Sequence, residues 1–290
     1  MNLVLELQKI TNKVKLNEPM SRHTHFKVGG LADIFVEVGN EGELKQVVSL
    51  CAQFKTPFFV LGGGSNVLVT DKGIRGVVIK LVDEFKKIRW LDNGRIITGA
   101  GVELPKLVNL TCKRGLSGLE FAVGIPGTIG GAVIGNAGIQ EKSIGDCVSF
   151  VKILDNKLSH KECGFSYRNS NLRKYVILEV EILLKKAEIS HIITVLQDYK
   201  QKRKDTQPQG YRNAGCIFKN PPGNFAGKLI DAAGLKGLRI GGAYISNKHA
   251  NFILNDGTAT AMDILNLITK IKKSVFDKFG IGLEEEIIII

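Results

Sequence analysis

The five cysteines, Cys51, Cys112, Cys147, Cys163 and Cys216, are odd in number and form no CxxC pair. Neither a disulfide framework nor a zinc site is expected from that spacing, and scattered free thiols fit a reducing cytoplasm. No apolar run approaches the about 18 residues of a membrane span. The short terminal run Ile287–Ile290 is expected to be a buried strand instead. The first twenty residues carry charges every few positions and so lack a signal-peptide core. Acid is the scarcer charge, with 28 Asp and Glu against 40 Lys and Arg and a formal net charge of +12. That balance suits anionic partners. The basic residues are scattered, however, and no nucleic-acid motif accompanies the densest cluster, Lys200, Lys202, Arg203 and Lys204. Phosphorylated small molecules are therefore expected as partners, not nucleic acid or a membrane. The common nucleotide fingerprints are missing too. No Lys-Ser or Lys-Thr follows a glycine turn and no GxGxxG opens a helix, which removes the P-loop and Rossmann readings.

What remains describes a globular chain. Its 290 residues leave room for about two domains of roughly 100–200 residues each. Leu3, Val4, Leu7, Ile10 and Val14 lie on one helical stripe over 3–14, so residues 1–20 are expected as an N-terminal helix closed by Pro19. From 21 to 82 the pattern is α/β: strands over 32–38, 57–61, 67–69 and 77–81, and a helix over 43–54 with Leu44, Val47, Val48, Cys51 and Phe54 on one face. From 83 to 186 short strands (88–91, 95–98, 148–154, 176–183) surround one helix over 104–114 that ends at Gly115, a suitable C-cap. The last part, 187–290, reads as a separate unit with helices over 190–201 and 262–279. In the second of these Leu265, Ile268, Val275 and Phe276 are expected to face inward. Thr260 followed by Asp263 suggests its N-cap.

Two glycine-rich segments carry the first chemical signal. Val60-Leu61 runs into Gly62, Gly63 and Gly64, then Ser65, Asn66 and Val67. Successive unhindered N–H groups in such a turn make an anion nest suited to a diphosphate; a tight strand–strand turn is the alternative. The second segment has six glycines between Gly124 and Gly138. Loops so rich in glycine are entropically costly, and close approach to a ligand explains them better than an irregular loop does. Tyr167-Arg168-Asn169-Ser170 is weak by itself. Cys216, ahead of Ile217-Phe218, is either an exposed thiol or a small buried hydrophobe. Glu284 and Glu286 would share a face if Leu283–Ile287 is a strand.

In their order along the chain these segments resemble one family, the UDP-N-acetylenolpyruvoylglucosamine reductases. The resemblance runs from about Ser21 to the C-terminus. It rests on Thr24-x-x-Lys27-Val28-Gly29-Gly30, the Gly62–Val67 loop, Gly124–Ala132, Tyr167–Ser170, Ala214–Pro221, Gly234-Leu235-Lys236-Gly237, His249-Ala250-Asn251-Phe252 and Leu283-Glu284-x-Glu286. It implies an α+β protein with an FAD-binding fold of the vanillyl-alcohol-oxidase type. Two α/β subdomains (21–82 and 83–186) would bind FAD, and an α+β domain over 187–290 would bind substrate. Gly62, Gly63, Gly64, Ser65, Asn66 and Val67 would take the FAD diphosphate. Gly124, Ile125, Pro126, Gly127 and Thr128, then Gly130, Gly131 and Ala132, and finally Asn136 and Gly138 would line the adenosine and the flavin.

The implied reaction reduces the enolpyruvyl ether of UDP-N-acetylglucosamine with electrons from NADPH, a step of peptidoglycan precursor synthesis. Hydride arrives at the terminal methylene carbon, and negative charge spreads from the neighbouring carbon into the carboxylate. By the resemblance, Arg168 and Glu286 stabilise that charge and Cys216 donates the final proton. Glu286 can donate a hydrogen bond there only as the protonated acid. The family more often has serine where this chain has Cys216. A thiol, with an ordinary pKa of about 8.5, is the stronger acid and can serve. Lys204 and Asn220 would contact the sugar nucleotide, with a solvated helix end as the alternative for Lys204. His249 is expected to support structure. Longer members carry an inserted loop with a tyrosine over the substrate; no counterpart is present, so the chain resembles the shorter subclass. A flavin oxidase of the same fold and a basic binding protein are the competing readings.

Overall fold

The structure, a computed structural model, describes residues 2–139 and 141–290. The chain opens with α1 (Leu3–Ile10), β1 (Val14–Pro19), β2 (Leu31–Val38), α2 (Glu41–Gln53), β3 (Phe58–Leu61), β4 (Val67–Leu68) and β5 (Ile74–Leu81). β6 (Ile88–Trp90), β7 (Arg95–Gly99), α3 (Leu104–Lys113), β8 (Leu116–Ser117) and α4 (Ile129–Ile134) follow, then β9 (Val148–Ile153), β10 (Lys157–Ser159), α5 (His160–Cys163), β11 (Ile177–Leu183) and β12 (Lys185–Lys186). The chain finishes with α6 (Ile189–Thr206), α7 (Ala226–Ala232), β13 (Arg239–Ile240), β14 (Ala243–Ile245), β15 (Ile253–Asn255), α8 (Ala261–Phe279) and β16 (Ile288–Ile289).

Two units emerge, and neither is contiguous in sequence. The first takes residues 1–15, 34–63 and 76–203; the second takes 16–33, 64–75 and 204–290. The first unit holds the bulk of a sheet of order β1-β2-β5-β3, in which β3 and β5 run parallel. It also holds a sheet of order β10-β9-β11-β7-β6, antiparallel between neighbours. One core serves both, from Val36, Leu44 and Ile79 to Leu107, Val133, Val151 and Val180. The second unit packs α7 and α8 on the β13-β14-β15 sheet, over a core that includes Phe26, Phe218, Ile230, Ile253 and Ile271.

Three expectations are corrected. The N-terminal helix stops at Ile10, and Val14, which continued its stripe, starts a strand. The sheet captures the chain there: Thr11 Oγ1 donates to the Glu37 carbonyl, and Glu37 N–H donates to Lys13. Phe276 is 59% exposed rather than inward. The buried stripe of α8 is Ala261, Ile264, Leu267, Ile268, Ile271 and Val275, and Phe276 lies about 100° of helix past it. Of the terminal run only Ile287 is buried; Ile289 is 40% exposed in β16, a two-residue strand that pairs parallel to β4. The capping of α8 follows expectation, with Thr260 and Asp263 forming a capping box and Gly280 closing the helix in the left-handed region.

Candidate active site

In the first unit the two glycine segments meet. A Cβ on Gly63 would lie 2.7 Å from Gly127 Cα, and one on Gly62 would lie 2.7 Å from Thr128 Oγ1. The loops touch backbone to backbone, which only glycine permits. Lys80, the one charge in the apolar stretch 77–81 of β5, donates through Nζ to the Gly62 carbonyl, and burial holds its amine below the usual lysine range. Thr128 caps α4, its Oγ1 accepting from Gly131 N–H at 3.4 Å. Ile129 and Gly130 donate to the Val102 and Ala100 carbonyls, so Gly130 serves close packing. Gly131 differs: it is exposed, and a Cβ there would meet nothing nearer than Thr128 Oγ1 at 3.7 Å. Gly124 stands in the left-handed region (φ +73), with its carbonyl accepting from Arg203 at 3.1 Å.

Arg168 is the third residue of a tight hairpin turn, Ser166–Asn169, closed by paired backbone bonds of 3.0 and 3.2 Å. Its φ of +53 is unusual for a long side chain. The neighbourhood explains why it is held. Asn136, 5% exposed, donates to the Ser166 carbonyl at 2.8 Å and accepts from Gly145 N–H at 2.9 Å. Ser170 Oγ donates to the Ile134 carbonyl at the end of α4 at 2.8 Å. The Arg168 guanidinium donates to the Gly138 carbonyl at 2.8 Å. Arg168, Asn136 and Gly138 thus form one hydrogen-bonded cluster.

In the second unit Gly64 (φ +66) lies against the His23 carbonyl and accepts from His25 N–H at 2.9 Å. Among the described residues, no backbone carbonyl accepts from the N–H of Gly63, Gly64 or Asn66. Ser65 is half-buried beside them, and Val67 opens β4. The donors of this turn therefore fit an anionic group.

The same unit joins Cys216 to Glu286. Residues 216–219 form an extended segment with a partner on each edge. On one side Cys216 bridges Phe252, and Ile217 N–H donates to the Asn251 carbonyl at 2.9 Å. Buried Asn251 reinforces this edge, its side chain bonding both the N–H and the carbonyl of Phe218. On the other side Phe218 bridges Glu285, and Glu286 N–H donates to the Ile217 carbonyl at 2.7 Å. Cys216 is half-buried, not sequestered. Residues 284–286 form no regular strand beyond that bridge; Glu284 points to solvent and pairs with Lys219 at 2.5 Å. Arg168 belongs to the first unit and Cys216 and Glu286 to the second.

Asn220 is exposed, six residues ahead of α7, and its Oδ1 accepts from the N–H of Ala226, the first residue of that helix, at 3.0 Å. Lys204 is exposed on the last turn of α6, and its carbonyl accepts from Lys248 Nζ at 2.6 Å. His249 is half-buried, packs edge-on to Phe252 and accepts from Asn251 N–H at 3.2 Å. Among the described residues no group of acids, histidines and cysteines could hold a metal ion, and no helix is long and apolar enough to cross a membrane. Sequence reasoning missed Lys80 altogether, and it named Arg203 and Asn251 only within a basic cluster and a motif, without their bonds to Gly124 and Phe218. The one available signal was Lys80, the lone charge in the apolar run 77–81.

Residues 32–164 match the family described as FAD binding domain, and residues 207–290 match the C-terminal domain of UDP-N-acetylenolpyruvoylglucosamine reductase. A variant of Phl p 4, a glucose oxidase, shares the fold at a TM-score of 0.50 and 14% identity, over 98% of this chain and 60% of its own. The protein is thus an FAD-dependent oxidoreductase with the α+β fold of the vanillyl-alcohol-oxidase class. The crystal structure of UDP-N-acetylenolpyruvylglucosamine reductase from Thermus caldophilus superposes with a TM-score of 0.83 at 38% identity, covering 96% of this chain and 98% of that one. The UDP-N-acetylenolpyruvoylglucosamine reductase of Caldanaerobacter subterraneus is 45% identical over 99% of this chain and 98% of its own length. That of Lachnoclostridium phytofermentans is 42% identical over 99% and 96%. The chain belongs to the UDP-N-acetylenolpyruvoylglucosamine reductase family.

Proposed function

We propose that the protein reduces the enolpyruvyl ether of UDP-N-acetylglucosamine to UDP-N-acetylmuramate, with NADPH as electron donor, in the cytoplasm. The observation that carries this reading is the pairing of a half-buried thiol and a carboxyl residue on adjacent extended segments, Cys216 beside Ile217 and Glu286 bonded to Ile217 at 2.7 Å. An oxidase passing electrons to oxygen has no need of that pair.

FAD, when bound, supplies the hydride. Residues 62–67 would hold its diphosphate through backbone N–H groups, and residues 124–138 would line its adenosine and flavin. Arg168 presents a permanent positive charge, oriented through Gly138, to the carboxylate on which negative charge builds. Glu286, protonated, donates a hydrogen bond to the same oxygens. The Cys216 thiol then gives its proton to the carbon next to the carboxylate, leaving a thiolate that is reprotonated from water. Lys204 and Asn220 would contact the sugar nucleotide; the bond from Ala226 orients the Asn220 amide. We assign residues 21–186 to cofactor binding, with subdomains 21–82 and 83–186, and residues 187–290 to substrate binding.

The test is NADPH oxidation by the purified yellow protein with and without UDP-N-acetylglucosamine enolpyruvyl ether. Consumption equal to substrate added, with a product two hydrogens heavier, supports the reading. Oxygen-dependent consumption indifferent to the ether refutes it in favour of an oxidase.

A further inference from the structure

The C-terminal segment runs along residues 66–70, inside the second unit. Ile288 N–H donates to the Asn66 carbonyl at 3.0 Å, Ile290 N–H to the Leu68 carbonyl at 3.0 Å, and Thr70 N–H to the Ile290 carbonyl at 2.7 Å. β16 and β4 are thereby zipped in parallel register, Ile288 opposite Val67 and Ile289 opposite Leu68. At the near end of this zipper the Asn66 side chain does something a strand pair does not require. Its Nδ2 donates to the Glu286 carbonyl at 3.0 Å. The peptide groups of Glu286 are therefore held from both sides, the N–H by Ile217 and the carbonyl by Asn66. A continuous path runs from Cys216 through Ile217 and the Glu286 backbone to Asn66, and Asn66 belongs to the turn in which, among the described residues, no backbone carbonyl accepts from the N–H of Gly63, Gly64 or Asn66.

We infer that Asn66 is a positioning residue that couples the occupancy of its turn by the cofactor's diphosphate to the placement of Glu286. The inference rests on the proposed function for the identity of that ligand. The physical reason is geometric. The Asn66 N–H has no backbone acceptor among the described residues, while its carbonyl and side-chain amide are bonded to residues 288 and 286, so rotation of its peptide planes moves the N–H and these bonds together. An anion that fixes the N–H selects the arrangement in which the other two bonds form. By thermodynamic linkage, tightening the C-terminal bonds tightens the anion site by the same factor.

The test reads both directions. Residue-resolved hydrogen exchange of the wild-type chain, with and without FAD, should show the Glu286, Ile288 and Ile290 amides slowed by about tenfold on loading, as expected of a locally opening segment that a bound ligand closes. Ile288→Pro removes the N–H that Asn66 accepts, besides fixing φ at 288 and restricting residue 287, and the lost hydrogen bond should weaken FAD affinity by about three- to tenfold. In the FAD-loaded variant the reduction of flavin by NADPH should keep its rate, while reoxidation by the enolpyruvyl ether slows. A wild-type chain that takes up FAD without any response of these amides overturns the inference alone. A chain that takes up no FAD overturns it together with the reading on which it rests. Should Ile288→Pro fail to fold, the exchange measurement on the wild type decides by itself.

Discussion

Gly131 and Gly63 are both expected to face the cofactor, yet the structure gives them opposite physical roles, and alanine separates these. At Gly131, the third residue of α4, an added methyl stands 3.7 Å from its nearest neighbour, an ordinary contact, and the position is exposed. Without cofactor, Gly131→Ala should stabilise the protein by about 0.5–1 kcal/mol, because alanine loses less backbone entropy in a helix. With cofactor the sign should reverse. A methyl placed where the ligand needs to lie costs about 1–3 kcal/mol of overpacking, or roughly five- to 150-fold in affinity. At Gly63 the methyl meets Gly127 Cα at 2.7 Å, against a normal carbon–carbon separation of about 3.5–4.0 Å. The two loops would have to part by about 1 Å, so Gly63→Ala should destabilise the apoprotein itself by about 1–3 kcal/mol. The assay is urea unfolding of the FAD-stripped protein together with an FAD titration followed by fluorescence quenching. Gly282→Ala, with no neighbour within 4 Å, is the control: it should leave FAD affinity unchanged and shift stability by no more than the about 0.4–1 kcal/mol of backbone entropy that alanine removes from the unfolded chain. If Gly131→Ala binds FAD like the wild type, or weakens the apoprotein, the reasoning from empty space to ligand contact is refuted.

Alkylation of Cys216 should abolish turnover, with bound substrate protecting the thiol, and Cys216→Ser should remain active; full activity after verified modification of Cys216 would remove it from the mechanism. Asn136→Ala strands the Gly145 N–H and the Ser166 carbonyl and places alanine at φ +42, which together should cost about 3 kcal/mol or more in urea unfolding. Burial holds the His249 imidazole below its usual value of 6.5. The unfolded chain then binds the proton more readily, so this contribution is complete above the unfolded pKa and lost as pH falls toward the folded one. Urea midpoints at about pH 7 and about pH 5.5 should differ less in His249→Gln than in the wild type; an equal difference would show that another group carries the acid sensitivity.

Elements with an unbroken apolar period were readable in advance. α2, α3 and the strands β5, β7, β9 and β11 form where spacing marks them, because nothing competes with that period inside them, and α8 does so with its buried stripe shifted off Phe276. α1 failed at its end because a strand partner 26 residues away took Thr11 and Lys13. α4 was not visible at all. Its Ile-Gly-Gly-Ala-Val-Ile has two glycines in the first turn, which intrinsic preference scores against a helix. It forms because Thr128 caps it and because Gly130 must approach Ala100. α7 and β13–β15 are too short to show a period.

For the site, the sequence could order the motifs but not show how each is fastened. A side chain bonding a distant carbonyl leaves no pattern in the chain. Arg203 to Gly124, Lys80 to Gly62 and Asn66 to Glu286 are all of this kind, at separations from 18 to 220 residues. Such bonds matter where the ligand-facing groups are themselves backbone. A loop of glycine N–H groups has no side chain by which to be held, so its shape must be imposed through the carbonyls on its other face. The cationic side chains of Lys80 and Arg203 do that for Gly62 and Gly124, and Arg168 does it for Gly138. Glycine-rich cradles should therefore be recognisable in other chains by basic residues whose donors end on the carbonyls behind the turn.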